Sequence, residues 1–261
     1  MSFFALVDGR QTCSLIFTHA EVRELQRSLR IKCEFCLEPL TIRYSTRTRT
    51  HFAHRPDSDC TQSAHMSDKH RTAQAVLYTR INNIVGWQAH LEKAGPNYRS
   101  DVIAINLFNG ARYSFEIQLA SISREAAFIR TLEQCRDGIR DVIWLCDKKQ
   151  PWTNELKTAV LDYGEGWKPS SDIHVQYPTL PDENTTDLDD HMCRTLELCE
   201  FIERFLTSKL ILHMPEFVGI AYGNELVWRT CRRWLFIAPQ DLDQPDMLLE
   251  HIDAPAAPLI C

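Results

Sequence analysis

The sequence lacks any apolar run long enough to cross a membrane. No stretch approaches roughly 18 consecutive apolar residues, although 44% of the 261 residues are hydrophobic. The N-terminus also lacks a basic flank followed by a long apolar segment, so no secretory signal is predicted. We therefore expect a protein that does not enter the membrane and that works in the cytoplasm.

Internal repeats and low-complexity tracts are absent as well. The chain is long enough to bury a sizeable core as one large or two smaller domains. It contains ten cysteines. Without a secretory signal, this number favours reduced thiols, some of them metal ligands, over a disulfide framework.

A strongly basic balance is missing too, since the net charge is −6. The charge is uneven, however: residues 1–150 carry 21 Lys and Arg against 16 Asp and Glu, and residues 151–261 carry 8 against 19. The basic N-terminal part is suited to face nucleic acid. The acidic C-terminal part is not expected to bind phosphate groups, and it either aids solubility or docks a partner.

A cluster of cysteines and histidines occupies the N-terminal part. Cys33 and Cys36 form a C-x2-C unit, and His51, His54 and Cys60 follow after a hairpin-like segment. Thiolates and imidazole suit a tetrahedral Zn²⁺ site. We favour Cys33, Cys36, His54 and Cys60 as ligands, with His51 as the alternative histidine, because His51 and His54 would face opposite sides of a strand. The alternative to a zinc site is a pair of buried thiols together with surface histidines.

Several arginines flank this cluster. They alternate with Thr, Tyr and Phe, and they are Arg43, Arg47, Arg49 and Arg55. Such a pattern is typical of a nucleic-acid contact surface. A solvated face of a β-hairpin explains it equally well.

A strong hairpin signal lies in the middle of the chain. Asn109-Gly110 separates the strand-like runs 101–108 and 111–119. An Asn-Gly pair in this context predicts a two-residue type I′ turn, because both residues tolerate positive φ. That turn would pair Phe108 with Ala111.

The predicted register brings three polar side chains to one face of the sheet. Asp101 would lie opposite Gln118, and Glu116 would lie diagonally across from Asp101. Two carboxylates at this separation can share one hard divalent cation. The hairpin therefore predicts a cation site at Asp101 and Glu116.

The surrounding elements follow the order αβββαβ. A helix begins after the N-cap Ser67, with His70 at the head of its apolar stripe. A strand near 87–91, the hairpin, a helix near 121–135 and a strand over 141–147 come next. Because both faces of the hairpin are apolar, we expect helices on both sides of the sheet. Beyond residue 150, helices are predicted near 153–161 and 188–206.

These residues resemble a known family, the competence protein CoiA-like nucleases, from about residue 30 to residue 147. The resemblance rests on the C-x2-C unit, HFAH at 51–54, SDKH at 67–70, RSDV at 99–102, EIQLASIS at 116–123 with Arg130, and IWL at 143–145. The order of HFAH, R-x-D-V and E-I-Q is fairly specific.

The resemblance implies a core similar to that of PD-(D/E)XK nucleases, which is a restriction-endonuclease-like αβββαβ fold. Asp101 and Glu116 would then hold Mg²⁺ or Mn²⁺, Gln118 would take the usual lysine position, and His70 would project towards the site. Gln118 can orient a water or a phosphate but carries no positive charge.

Two arginines near these motifs, Arg99 and Arg130, are candidate phosphate binders, although either is equally consistent with an exposed or ion-paired arginine. The chain divides into strands, a helix and a zinc-binding β-hairpin module at 1–62, a nuclease-like core at 63–150, and an acidic α+β extension at 151–261.

The resulting hypothesis is a metal-dependent DNA nuclease that acts in competence, recombination or defence against foreign DNA. The alternative is a catalytically weak or inactive nucleic-acid-binding protein. In either case the C-terminal region is a candidate for docking a protein partner or for self-association.

Overall fold

The structure is a computed structural model, and it describes most of the chain. The described residues are 3–28, 31–34, 36–45, 48–56, 58, 60, 67–95, 98–150, 152–153, 155–168, 171–179, 193–213, 217–222, 225–230 and 235–238. The helices are α1 (His19–Ser28), α2 (Asp68–Asn82), α3 (Arg124–Arg136) and α4 (Leu198–Leu206), with a 3₁₀ turn at Ser14–Ile16. Within the described ranges, no helix is both long and apolar enough to cross a membrane.

The strands form one large sheet and several small ones. They are β1 (Phe4–Val7), β2 (Arg10–Cys13), β3 (Ile31–Lys32), β4 (Thr41–Ser45), β5 (Thr48–Ala53), β6 (Trp87–Ala94), β7 (Arg99–Asn106), β8 (Arg112–Gln118), β9 (Asp141–Cys146), β10 (Thr158–Asp162), β11 (His174–Pro178), β12 (Cys193–Glu197), β13 (Ile211–His213), β14 (Phe217–Tyr222), β15 (Glu225–Thr230) and β16 (Leu235–Ile237).

The large sheet has seven strands in the order β12-β11-β10-β9-β8-β7-β6. Strands β6 to β8 are antiparallel, β8 to β10 are parallel, and β10 to β12 are again antiparallel. Helix α3 makes the crossover between the parallel strands β8 and β9. The predicted order αβββαβ is confirmed for α2 through β9.

Helices cover both faces of this sheet, as its apolar faces predict. Helix α2 packs on one face, where its Leu77 joins Val102 and Phe115 in the main core together with α4. Helix α3 packs on the other face, where Ala127 joins Ile103 in a second core. A third cluster contains Ala5 of β1, residues of α1 and the β4–β5 hairpin.

The hairpin between β7 and β8 differs from the prediction in its loop. The strands pair Val102 with Phe115 and Ile105 with Arg112, and the Asn106 amide donates to the Ala111 carbonyl at 2.8 Å. The loop therefore runs over the four residues 107–110, and the predicted two-residue turn was wrong.

The side chain of Asn106 explains this longer loop. Its Oδ1 accepts hydrogen bonds from the amides of Phe108 and Asn109 at 2.9 and 3.3 Å. Gly110 has a φ of 73°, whereas Asn109 is not among the residues with positive φ, and a type I′ turn needs positive φ at both positions. The register consequently shifts by two residues, and its continuation places Asp101 opposite Glu116 rather than opposite Gln118.

The region after residue 150 continues the same sheet. The predicted helix near 153–161 was wrong, because Thr158–Asp162 forms β10 beside β9. Of the predicted helix near 188–206, residues 193–197 form a strand and only 198–206 are helical; residues 188–192 lie outside the described residues. The proposed division of the chain at residues 62 and 150 stays a prediction, and the sheet crosses the second boundary.

Most of the described cysteines carry free thiols, as expected for this sequence. These are Cys13, Cys33, Cys36, Cys60, Cys146, Cys193 and Cys199. Cys135 differs, since it is disulfide-bonded. The expectation of reduced thiols therefore holds for this group but not for every cysteine.

Candidate metal centres

Three of the predicted site residues meet at one end of the β7–β8 pair. Asp101 lies in β7 and Glu116 lies in β8, on neighbouring strands. His70 comes from the first turn of α2, whose start is fixed by Ser67, because the Ser67 hydroxyl accepts a hydrogen bond from the His70 amide at 3.2 Å. The N-cap predicted from the sequence thus sets the position of His70.

Asp101 uses its two carboxylate oxygens differently. Oδ2 accepts a hydrogen bond from the amide of Ile117 at 2.8 Å. Oδ1 lies 3.2 Å from Nε2 of His70. The backbone of β8 therefore fixes one oxygen of Asp101, while the other faces the imidazole.

Glu116 is completely buried, with 0% of its surface exposed. Its Oε1 accepts hydrogen bonds from Ser114 Oγ at 3.2 Å and from Gln134 Nε2 at 2.9 Å. Its Oε2 contacts the guanidinium of Arg130, yet it makes no hydrogen bond of good geometry with the described residues. The charge of Arg130 therefore offsets part of the desolvation cost of this buried oxygen.

The electrostatic environment of Glu116 reflects this burial. Desolvation first, and then the charge of Asp101, raise the pKa of Glu116 to about 8; the Arg130 charge and the hydrogen bonds from Gln134 and Ser114 oppose this shift. The negative charges of Asp101 and Glu116 repel each other when both groups are ionised. A cation placed between the two groups would stabilise this doubly ionised state.

The pair fits a hard divalent cation. Each carboxylate has one oxygen held by uncharged donors, and the second oxygens, Oδ1 of Asp101 and Oε2 of Glu116, face His70 and Arg130. Mg²⁺ and Mn²⁺ prefer carboxylate oxygens of this kind. A cation bound at Oε2 would share this oxygen with the Arg130 guanidinium or displace it.

Gln118 follows Glu116 on the same face of β8, but the structure does not bring it into the same network. Its amide Nε2 donates to the carbonyl of Ala120 at 2.7 Å. In this arrangement the side chain is tied to its own strand end, so any role in orienting water requires that this bond opens.

Of the two arginines predicted to bind phosphate, Arg130 lies beside Glu116. Arg130 pairs with Glu116, donates to the Arg99 carbonyl at 2.9 Å, and lies over the Trp144 ring with its Cζ 5.6 Å from the centroid. The side chain of Arg99 is exposed. Arg130 is therefore an ion-paired arginine, which is the alternative that the sequence left open.

Sequence reasoning missed the polar residues that support Glu116. Gln134, Ser114 and Ser100 are each 0% exposed, and Ser100 Oγ donates to Gln134 Oε1 at 3.0 Å. Ser114 was detectable in principle, because it lies two residues before Glu116 on the same strand face. Gln134 lies four residues after Arg130 on α3, so helical spacing offered a weaker signal.

A second group of ligand atoms lies in the N-terminal region. Cys33, Cys36, His54 and Cys60 place their ligand atoms within 4.8 Å of one another. The Sγ atoms of Cys33 and Cys60 are 4.0 Å apart, and Cys36 Sγ lies 3.3 Å from His54 Nε2. Tetrahedral zinc with bonds of about 2.3 Å sets its sulfur atoms about 3.8 Å apart, so this cluster can hold a structural metal such as zinc.

The local chain path explains why His54, rather than His51, joins this group. His51 lies within β5 opposite Arg43 of β4 and is largely buried, with 9% exposed. His54 follows the end of β5, where the strand no longer dictates its direction. The histidine favoured by the sequence is thus the one that the structure brings to the thiols.

The neighbouring thiols alter the acidity of Cys36. Desolvation first, and then the neighbouring thiols of Cys33 and Cys60, raise the pKa of Cys36 to about 11, against the lowering effect of a backbone hydrogen bond from Glu38. A bound cation reverses this effect, because a coordinating thiol loses its proton. Of the predicted arginines beside the cluster, Arg47 and the side chain of Arg49 lie outside the described residues.

Comparison with known proteins finds one family model that matches the N-terminal region. Residues 16–63 match the family model described as competence protein CoiA, N-terminal domain. No curated protein and no solved structure matches the chain significantly. The matched segment contains α1 and all four residues of the Cys/His cluster. The chain is therefore similar to this family over residues 16–63.

Proposed function

We propose that the chain is a metal-dependent DNA nuclease with a restriction-endonuclease-like, PD-(D/E)XK-type core over residues 63–150. One observation carries the proposal. Asp101 and Glu116 come from adjacent strands of an αβββαβ unit, and the continued register of these strands places the two carboxylates opposite each other. Phosphodiester hydrolysis by such enzymes needs paired carboxylates that hold a divalent cation against the scissile phosphate.

In this proposal Asp101 and Glu116 hold Mg²⁺ or Mn²⁺. When bound, the cation polarises a phosphoryl oxygen and lowers the pKa of a water molecule. The Ile117 amide holds Asp101 in place, and the buried donors around Glu116 keep its carboxylate turned towards the site. These residues orient the ligands before substrate arrives.

His70, Gln118 and the arginines act around this centre. His70 positions Asp101 through its contact with Oδ1 and is close enough to move a proton at that atom. Arg99 lies at the exposed start of β7, where a phosphate can reach it. Arg130 balances the charge of Glu116, and Gln118 replaces the lysine of the usual motif.

The N-terminal module contributes a structural Zn²⁺ site and a DNA-contacting surface in this proposal. Cys33, Cys36, His54 and Cys60 hold the zinc, which fixes the β4–β5 hairpin. Arg47 and Arg49 are candidate nucleic-acid-binding residues of this module. The family match supports a competence-related role, and we place the protein in the cytoplasm as a factor that processes DNA in competence, recombination or defence.

A second function is favoured by Gln118. Because the Gln118 amide is tied to the Ala120 carbonyl and no lysine stands at this position, the core is also suited to bind DNA with little or no cleavage. The acidic C-terminal region would then dock a protein partner or mediate self-association. Tight, salt-sensitive DNA binding without turnover in any divalent metal is the outcome expected of this alternative.

Cleavage of several DNA forms in Mg²⁺ and Mn²⁺ distinguishes the two functions. We expect wild-type cleavage to depend on added metal and to be lost in Asp101→Ala and in Glu116→Ala. Glu125→Gln is a matched control, since Glu125 is an exposed acid in the first turn of α3. Equal cleavage by wild type, both alanine variants and the control would contradict the nuclease function.

A further inference from the structure

Gln134 belongs to none of the residues assigned above, yet it touches the centre of the site. It lies in α3, on the side of the helix that faces β8, and it is completely buried. A glutamine amide has four hydrogen-bonding positions, and burying it is unfavourable unless they are used. Its two observed partners, Ser100 and Glu116, are also completely buried.

The hydrogen bonds leave a single reasonable orientation for this amide. Nε2 donates to Glu116 Oε1 at 2.9 Å, and Oε1 of Gln134 accepts from Ser100 Oγ at 3.0 Å. A flipped amide would turn its oxygen towards the carboxylate and its NH₂ group towards the Ser100 hydroxyl. The carboxylate of Glu116, which when ionised can only accept, therefore fixes the direction in which Gln134 donates, and the Ser100 hydroxyl, which can donate or accept, completes the arrangement.

This network makes the two oxygens of Glu116 unequal. Oε1 accepts from both Gln134 and Ser114, whereas Oε2 has no hydrogen bond of good geometry with the described residues and lies against the Arg130 guanidinium. The terminal torsion of a glutamate side chain is soft and broad. Without Gln134, one of the two donors that hold Oε1 is gone, and the carboxylate is held less firmly by Ser114 and Arg130 alone.

We propose that Gln134 is a positioning residue of the metal site, which selects Oε2 of Glu116 as the ligand oxygen. The inference rests on the proposed function, because it assumes that a divalent cation binds between Asp101 and Glu116. Partners that orient a metal ligand typically contribute about 10- to 100-fold in metal affinity. The expected effect of removing Gln134 is a loss of that size.

Thr131 supplies a matched control on the same helix. It is also buried, and its Oγ1 donates to the Ala127 carbonyl at 2.9 Å and accepts from Trp144 Nε1 at 3.1 Å. Thr131→Val removes a buried polar group from α3 without touching Glu116. Gln134→Met also removes a buried polar group from α3, but one that contacts Glu116, and it keeps the length of the side chain.

The test is Mn²⁺ binding to the full chain as purified, without DNA, measured by titration calorimetry. We expect Gln134→Met to weaken Mn²⁺ binding by about 10- to 100-fold, Ser100→Ala to weaken it less, and Thr131→Val to leave it within about twofold. Thermal unfolding without Mn²⁺ checks that the variants are folded. Wild-type affinity in Gln134→Met, or an equal loss in Thr131→Val, would overturn the positioning role.

The outcome for Asp101→Ala separates this inference from the proposed function. Mn²⁺ binding that depends on Asp101 but not on Gln134 refutes the positioning role alone. Mn²⁺ binding that depends on both, in a chain that cleaves no DNA, refutes the nuclease function and supports the positioning role. Equal Mn²⁺ affinity in the wild type and in Asp101→Ala refutes both the positioning role and the proposed function.

Discussion

Without added Mg²⁺ or Mn²⁺, Glu116→Gln should make the free energy of unfolding less sensitive to a rise in pH through the neutral range. Because the folded protein raises the pKa of Glu116 from its ordinary value of 4.5 to about 8, the folded state binds a proton more tightly than the unfolded state. The stabilising effect of that proton is complete below pH 4.5 and is lost as the pH rises towards 8. Glutamine keeps the shape of the side chain but does not titrate.

The magnitude follows from the size of the shift. Each pKa unit corresponds to about 1.4 kcal/mol, so between about pH 5 and about pH 7 the free energy of unfolding of the wild type should fall by on the order of 2 kcal/mol more than that of Glu116→Gln. Glu116 is fully buried, so solvent screening reduces this figure little. Other titrating groups affect both proteins alike and cancel in the difference.

Urea unfolding at several pH values, in buffer without Mg²⁺ or chelator, measures this difference. Omitting the chelator keeps any metal in the Cys/His cluster. Added Mg²⁺ should then restore wild-type stability at neutral pH but not that of Glu116→Gln, because a ligand that binds the folded state stabilises it. Parallel pH profiles for the two proteins, or a wild type that gains stability over this range, would refute the reasoning.

Three further predictions concern the rest of the fold. His54→Ala should abolish bound zinc, measured by elemental analysis, whereas His51→Ala should keep it; loss in both would contradict the assigned ligand set. Phe201→Ala removes a fully buried ring of α4 and should lower the free energy of unfolding by about 3–5 kcal/mol; a loss below about 1 kcal/mol would argue against packing of α4 on the sheet. Ser67→Ala removes the N-cap of α2 and should cost about 1 kcal/mol, and an unchanged stability would show that the cap is not formed.

The sequence located the catalytic candidates although its hairpin register was wrong. The error was two residues, and side chains alternate with a period of two along a strand. Asp101 and Glu116 therefore stayed on one face, and only Gln118 lost its predicted partner. The cause was the Asn106 side chain, whose hydrogen bonds to two loop amides compete with the tighter turn that Asn-Gly favours.

Other features depended on contacts far apart in the chain. Residues 158–162 form a strand because β9 offers them a parallel edge, which is information that a local pattern does not carry. Gln134 supports Glu116 across 18 residues of sequence. Its position four residues after Arg130 is only a weak local signal that it is buried beside Glu116. The Cys/His cluster, in contrast, was readable because C-x2-C and the later histidine and cysteine impose their own geometry.

Divalent-metal-dependent cleavage of DNA tests the central claim most directly. Purified wild type and Asp101→Ala are incubated with circular and linear DNA while Mg²⁺ or Mn²⁺ is titrated from zero. Wild-type cleavage that appears only with metal, and that is absent in Asp101→Ala at every concentration, is the predicted result. Cleavage that persists in Asp101→Ala, or a folded wild type that binds DNA but cuts none in either metal, would contradict the nuclease function.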